Sequence, residues 1–284
     1  MGTGERRLKR LIVTADDFGL SVPVNEAVEN AHTQGVLTTT CLMVGEDAVE
    51  DAVRRAKENA KLAVGLHVVV VCGKSVLPHD EIPDLVDGQG NFDTNLVRAG
   101  FRYFFLPKVR RQLALEIEAQ YRAFQKTGLY LDHVNAHNHM HVHPTVLGLI
   151  LQVGRAYGLS AVRIPAETFT IRSIANLIEK LFLAPWLALV KARVRRAGLR
   201  YNDQIFGIRD SGRMTRDRLL SIIGQLPDGV TEVFSHPATR RWEGIDPAAM
   251  DYGFEEEYEA LLDTDVRNAI AESGSELISF RDIS

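Results

Sequence analysis

Short apolar runs alternate with longer amphipathic stretches along almost the whole chain. Runs rich in β-branched residues at 10–15, 37–44, 62–71, 130–136, 161–165, 231–235 and 276–280 predict strands. Between them, apolar positions recur at helical spacing over 24–34, 47–59, 109–126, 145–157, 174–196, 216–225 and 255–273. Regular strand–helix alternation implies parallel strands joined by crossover helices. No internal repeat or linker interrupts the pattern, so residues 1–284 are expected to form a single α/β domain.

Polar residues at the strand ends choose between an open sheet and a barrel. Asp16 and Asp17 follow the first run, and His67 lies in the third. His137 follows the fourth, Arg163 stands in the fifth, and His236 closes the sixth. In parallel α/β folds, chemistry collects at the carboxyl ends of strands. Contributions from so many strands converge more readily in a closed wall, which predicts an irregular (β/α) TIM-like barrel of about seven parallel strands. The stretch 73–106, with Pro78, Pro83, Gly88 and Gly90, is expected to be a long loop able to cover the mouth of the site.

Composition adds limits. A 45% hydrophobic and 25% charged chain is ordinary for a globular protein. Net charge of -4 argues against a nucleic-acid partner. Cys41 and Cys72 form no metal or redox pair and no disulfide framework, which fits a reducing compartment. The basic start and Leu11-Ile12-Val13 are cut short by Asp16 and Asp17, too early for a signal peptide or a spanning helix. The expected location is cytoplasmic, with peripheral contact at the inner membrane face left open.

The densest candidate chemistry is 132–144, which holds His133, His137, His139, His141 and His143, five of the nine histidines. All fall on odd positions, which in an extended strand share one face. Residues two apart on a strand are about 6.5–7 Å apart, whereas metal–nitrogen bonds are about 2 Å. One or two of these rings can therefore reach a single ion. The others are left as partners of the ligands, substrate contacts or solvated rings. Thr14-Ala15-Asp16-Asp17-Phe18-Gly19 puts two adjacent carboxylates at a strand end. Such a pair, if buried, needs a cation or a proton; the plain alternative is a solvated turn with a helix cap. His67 within Val64–Val71 is either a satisfied core histidine or a ligand. His236, in Ser235-His236-Pro237, suits proton donation as well as ligation.

Taken in chain order over residues 11–237, Thr14–Gly19, Gly65-Leu66-His67, His137-x-His139-x-His141 and Ser235-His236-Pro237 resemble the YdjC-like carbohydrate deacetylase family. The resemblance implies an irregular β/α barrel, one divalent metal ion and removal of acetyl groups from N-acetylated sugars. By position it implies Asp17, His67 and His137 as metal ligands, Asp16 as general base and His236 as general acid. Asn135 and Ala136 stand where family members often have Asp-Ser, beside the third ligand. Two histidines and a carboxylate leave coordination positions open, as catalytic sites do. Zinc or magnesium would suit this set, with manganese and cobalt also open. The stretches 77–86, 101–111 and Arg163-Ile164-Pro165-Ala166-Glu167 resemble a branch associated with hopanoid biosynthesis, implying an N-acetylglucosamine-bearing lipid as substrate.

Two segments agree with an amphiphilic substrate without the resemblance. Residues 181–190 are uncharged, include Trp186, and are followed by Lys191, Arg193, Arg195, Arg196 and Arg200. Residues 101–111 mix aromatic and basic side chains in the same way. The first suits a membrane surface or lipid-binding lid, a homodimer interface, or a crossover helix with a solvated end; the second suits the same kind of surface or a loop anchored onto the core. Arg163, Glu167, His139 and His141 are candidate substrate contacts. The expected function is therefore metal-dependent N-deacetylation of a glycolipid. The rivals are a deacetylase of soluble chitooligosaccharide-like sugars, a different amidohydrolase or phosphoesterase, and a non-enzymatic lipid or sugar carrier with a structural metal.

Overall fold

A computed structural model of the chain describes residues 8–167 and 174–284, with side chains 168–183 outside the described set. Strands β1 (Lys9–Phe18), β2 (Thr39–Leu42), β3 (Ala63–Val68), β4 (Leu131–Ala136), β5 (Gln204–Phe206), β6 (Gly229–Ser235) and β7 (Glu276–Leu277) form one parallel sheet. Its order is β4-β3-β2-β1-β6-β5, with the short β7 on β1. The sheet curls into an irregular barrel. Residues 161–165, expected to be a strand, form only isolated parallel bridges, yet with Ala166 and Glu167 they tie the two sheet edges together. Val134 N donates to Ala161 O at 3.0 Å, and Ile205 N donates to Ala166 O at 3.2 Å.

The helices are α1 (Val22–Gln34), α2 (Val49–Glu58), α3 (Leu96–Phe105), α4 (Pro107–Lys126), α5 (Pro144–Gly154), α6 (Ile174–Arg196), α7 (Arg216–Ile223), α8 (Phe254–Leu262) and α9 (Thr264–Glu272). Three boundaries differ from the sequence expectation. The stretch 73–106 ends in a helix, because the Asn95 side chain caps α3 by accepting from Arg98 N at 2.9 Å. The single helix expected over 255–273 is two, since Asp263 in extended backbone caps α9. β5 is too short and too polar to stand out as a run.

Packing fixes the register that matters for chemistry. β3 pairs with β4 so that His67 lies opposite Asn135. Gly65 sits where a Cβ would lie 2.5 Å from the His133 ring, so only glycine lets the two strands approach. His133 is buried, stacks on Phe280 with ring centroids 4.2 Å apart, and belongs to the floor of the barrel. On α4, the buried Glu116 accepts from Val76 N and Leu77 N, both at 2.9 Å, and so pins the long connection onto the barrel rim.

Of the apolar stretch 181–190, residues 181–183 lie outside the described side chains. The rest behaves as a crossover helix: Val190 and Val194 are buried, and the Trp186 indole donates to Val142 O at 3.1 Å.

Candidate metal centre and active site

In a regular strand Asp16 and Asp17 would point to opposite faces. Two irregularities at the end of β1 prevent that. Its pairing with β2 shifts register between Ala15 and Phe18, and Asp17 has a left-handed backbone with φ 65. Such a conformation is costly for a residue with a Cβ and persists where the surroundings hold it. The result is that both carboxylates are buried at the barrel mouth, each with its own set of partners.

Asp17 faces two histidines. Its Oδ1 lies 3.2 Å from His67 Nε2 and 3.2 Å from His137 Nδ1, and the two nitrogens are 3.4 Å apart. Ligands about 2.0–2.1 Å from a tetrahedral zinc ion would be about 3.3–3.4 Å from one another. The donor set therefore has the size and the chemistry of a divalent-metal triad, with one hard oxygen and two imidazole nitrogens. Burial alone would raise the Asp17 carboxyl, but the His137 charge and hydrogen bonds from both rings hold it well below the usual carboxylate range.

Asp16 faces a cation of the protein's own. Arg163 is fully buried and donates to Asp16 Oδ2 at 2.6 Å and Oδ1 at 2.8 Å, and to Glu232 Oε1 at 2.7 Å. Thr14 Oγ1 also donates to Glu232 Oε1, at 2.7 Å. Burial works against the Asp16 charge, but the guanidinium overcomes it and leaves the carboxyl far below its ordinary range. A second triad of ligand atoms, from Asp16, Cys41 and His67, also lies within 4.8 Å. It suits a cation less well. Cys41 Sγ stands 3.0 Å from Asp16 Oδ1 and 3.1 Å from His67 Nδ1, shorter than metal-bridged S–N or S–O edges. Burial and the Asp16 charge push the Cys41 thiol up, away from the thiolate a metal requires. Arg163 also adds a positive charge next to it.

His67 bridges the two sets, and Asn135 governs which nitrogen carries its proton. With the amide oxygen 2.7 Å from His67 Nδ1, that nitrogen donates and Nε2 is free for a cation. Turned over, the amide oxygen accepts from Arg163 at 2.7 and 3.3 Å and the amide nitrogen donates to Nδ1. That arrangement places the proton on Nε2, toward Asp17. Asn135 thus serves His67, not the ring of His137 as the sequence position suggested.

The histidine run does not continue as a strand. β4 ends at Ala136, and Asn138 and His139 both adopt left-handed backbone, at φ 50 and φ 53. The odd positions therefore scatter. His137 turns to Asp17, while His139 packs edge-on against Phe234 at 5.3 Å. His141 is buried and accepts from Ala136 N at 3.1 Å, and His143 lies beside Tyr103 and Phe104. Burial, then the Arg163 charge, pushes His139 down to about 3, and burial holds His141 well below the usual imidazole range, so neither ring is cationic at neutral pH.

Arg163 and His141 are buried within the wall, where the ion pair with Asp16, not a sugar contact, occupies Arg163. Glu167 Oε2 accepts from Arg209 N at 3.1 Å. His236 is half-buried at the end of β6, its ring 5.3 Å from that of Tyr252, and its Nδ1 lacks a hydrogen-bond partner among the described residues. Glu257 holds its backbone by accepting from His236 N at 2.6 Å.

A cavity of about 920 Å³ opens onto Asp17 and His137. Glu46, Trp242 and Tyr252 line it, and the 73–106 connection walls one side through Phe92, Arg98 and Arg102. Sequence reasoning missed Cys41, Glu232, Glu46 and Tyr252. Only Glu232 left a signal, as the one charge inside an apolar strand.

Known proteins carry the same plan. The family model for YdjC-like proteins matches residues 10–272. A carbohydrate deacetylase of Geobacillus stearothermophilus is 33% identical over 278 residues, 95% of this chain and 96% of that protein. One from Brevibacillus brevis is 39% identical over 148 residues, 52% of this chain and 56% of its own length, so there the chain spans about half of the relative. A crystal structure from Enterococcus faecalis, provisionally named a cellobiose-phosphate cleavage protein, superposes with a TM-score of 0.72 at 27% identity, over 96% of this chain and 98% of that one. With the match running from the first strand to the last helix and across every element that frames the cavity, the chain belongs to the YdjC-like family.

Proposed function

We propose that this protein is a divalent-metal-dependent carbohydrate deacetylase, a hydrolase of the amide C–N bond in N-acetylated sugars. Relatives aligned over nearly the full chain are named carbohydrate deacetylases. The observation that carries the metal reading is the triad of Asp17, His67 and His137, with donor atoms 3.2–3.4 Å apart at the cavity floor. A divalent cation there would supply Lewis acidity, polarising the acetyl carbonyl and acidifying water.

The chain's own groups do the rest. As water adds to the acetyl carbon, Asp16 accepts its proton. Arg163 makes Asp16 a weak base but holds it ionised at neutral pH, so it stands ready to accept when water adds. As the C–N bond breaks, His236 gives a proton to the departing amine, and acetate leaves. Trp242 and Phe92 offer apolar faces for a pyranose ring in a cavity whose size is typical of small-molecule sites.

The substrate is an N-acetylglucosamine group on a glycolipid, hopanoid-like by the stretches noted above, reached from the membrane side. Soluble chitooligosaccharides are the second reading, compatible with the name carbohydrate deacetylase that the full-length relatives carry. Acetate release from N-acetylglucosamine oligomers and from an N-acetylglucosaminyl lipid tests both. Activity should vanish on chelation and return with zinc, magnesium, manganese or cobalt. Phosphate release in place of acetate, or activity that survives chelation, would overturn the proposal.

A further inference from the structure

The outer face of α3 has no role in the chemistry above. Val97 is 84% exposed, Phe101 61%, Phe104 50% and Phe105 58%. These positions form one helical stripe. The Phe101 and Phe105 rings lie 4.5 Å apart and those of Phe104 and Phe105 4.8 Å, so the patch is continuous. A contiguous apolar patch of this kind marks an interaction surface. Ala99 and Tyr103, on the opposite side of the helix, are buried, and Arg98 and Arg102 line the cavity. The patch therefore lies about one helix width from the cavity wall.

Charge selects the occupant. Residues 94–115 hold five cations, Arg98, Arg102, Lys108, Arg110 and Arg111, and no acid, in a chain of net charge -4. Asp93 pairs with Arg98 and Asp84 with Lys108, and among the described residues Arg110 and Arg111 have no acidic partner. A twofold dimer would set these cations against their own copies, a like-charge contact. Among the described residues no helix is long and apolar enough to cross a membrane.

We propose that the Val97–Phe101–Phe104–Phe105 face of α3 docks on an anionic lipid bilayer, with Arg110 and Arg111 on the headgroups. The aromatic rings enter the interfacial zone and the guanidiniums meet lipid phosphates, the pairing of apolar face and basic rim by which helices lie on membranes. Docking would bring the cavity mouth to a sugar carried by a lipid. That purpose rests on the deacetylase reading, but docking itself does not.

The test is co-sedimentation of the full chain with phosphatidylglycerol–phosphatidylcholine vesicles and with phosphatidylcholine alone. Binding is expected to the anionic vesicles only, and to be lost near 0.5 M salt, where the Debye length is below about 5 Å. Replacing Phe101, Phe104 and Phe105 together by Ser should weaken binding at least about tenfold. Arg110→Ala with Arg111→Ala should cost about fivefold per cation. Both variants should release acetate from a soluble substrate as the parent does. Three results would overturn the proposal: no binding to anionic vesicles, a triple variant that binds like the parent, or a parent dimer that the triple substitution makes monomeric. Vesicle binding without acetate release would sink the deacetylase reading and leave docking standing.

Discussion

Replacing Asp16 by Asn is expected to lower acetate release by about 10²–10⁴-fold while a divalent cation still binds. The two aspartates are neighbours in sequence but belong to different sets. Asp17 Oδ1 faces the two histidine nitrogens, whereas both Asp16 oxygens are held by Arg163. An amide keeps the shape of the side chain and removes its ability to take a proton. Measuring acetate release beside calorimetric metal titration separates the roles. Acetate release that persists would mean that Asp16 is no base. Activity and metal affinity lost together would assign the cation to the Asp16, Cys41 and His67 set instead.

Arg163→Leu should cost about 3–5 kcal/mol of stability at neutral pH, since removing one partner leaves buried charge uncompensated. Here two buried carboxylates, Asp16 and Glu232, would lose their shared cation. The pH dependence carries a sign. In the parent, the Asp16 pKa is depressed in the folded state, so its contribution is present above the unfolded value of about 3.9 and is lost as pH falls below it. In the variant, burial without the guanidinium raises the folded pKa above the unfolded one. The variant is then penalised at neutral pH and recovers as pH falls through that raised value. The stability gap between the two proteins should therefore narrow steadily from pH 7 toward pH 4. Urea unfolding midpoints measured across that range check it, and a gap that widens in acid would refute the role given to Arg163.

Much of this was legible in the residues because it depends on local pattern. Short β-branched runs that lead into Asp16-Asp17, His137 and His236, or hold His67, locate the strands around whose ends the cavity forms. What stayed hidden depends on backbone geometry or on long-range pairing. Strand alternation holds as far as Ala136, but the left-handed turn at Asn138 and His139 cannot be read from a histidine-rich run, and it decides that only His137 of the run reaches Asp17. Arg163 reads from the sequence as a candidate sugar contact, whereas its side chain is held by Asp16 and Glu232. Its partner Glu232 stands 69 positions later, and only the barrel brings them together. Asn135 and Cys41 become partners of His67 through the β2–β3–β4 register, which no single segment encodes.

Anomalous diffraction from crystals grown with zinc, recorded on both sides of the zinc edge, bears most directly on the central assignment. One peak bonded to Asp17, His67 Nε2 and His137 Nδ1 is expected, with Asp16 still paired to Arg163. A peak between Asp16, Cys41 and His67 Nδ1, or no peak at either place, would contradict it.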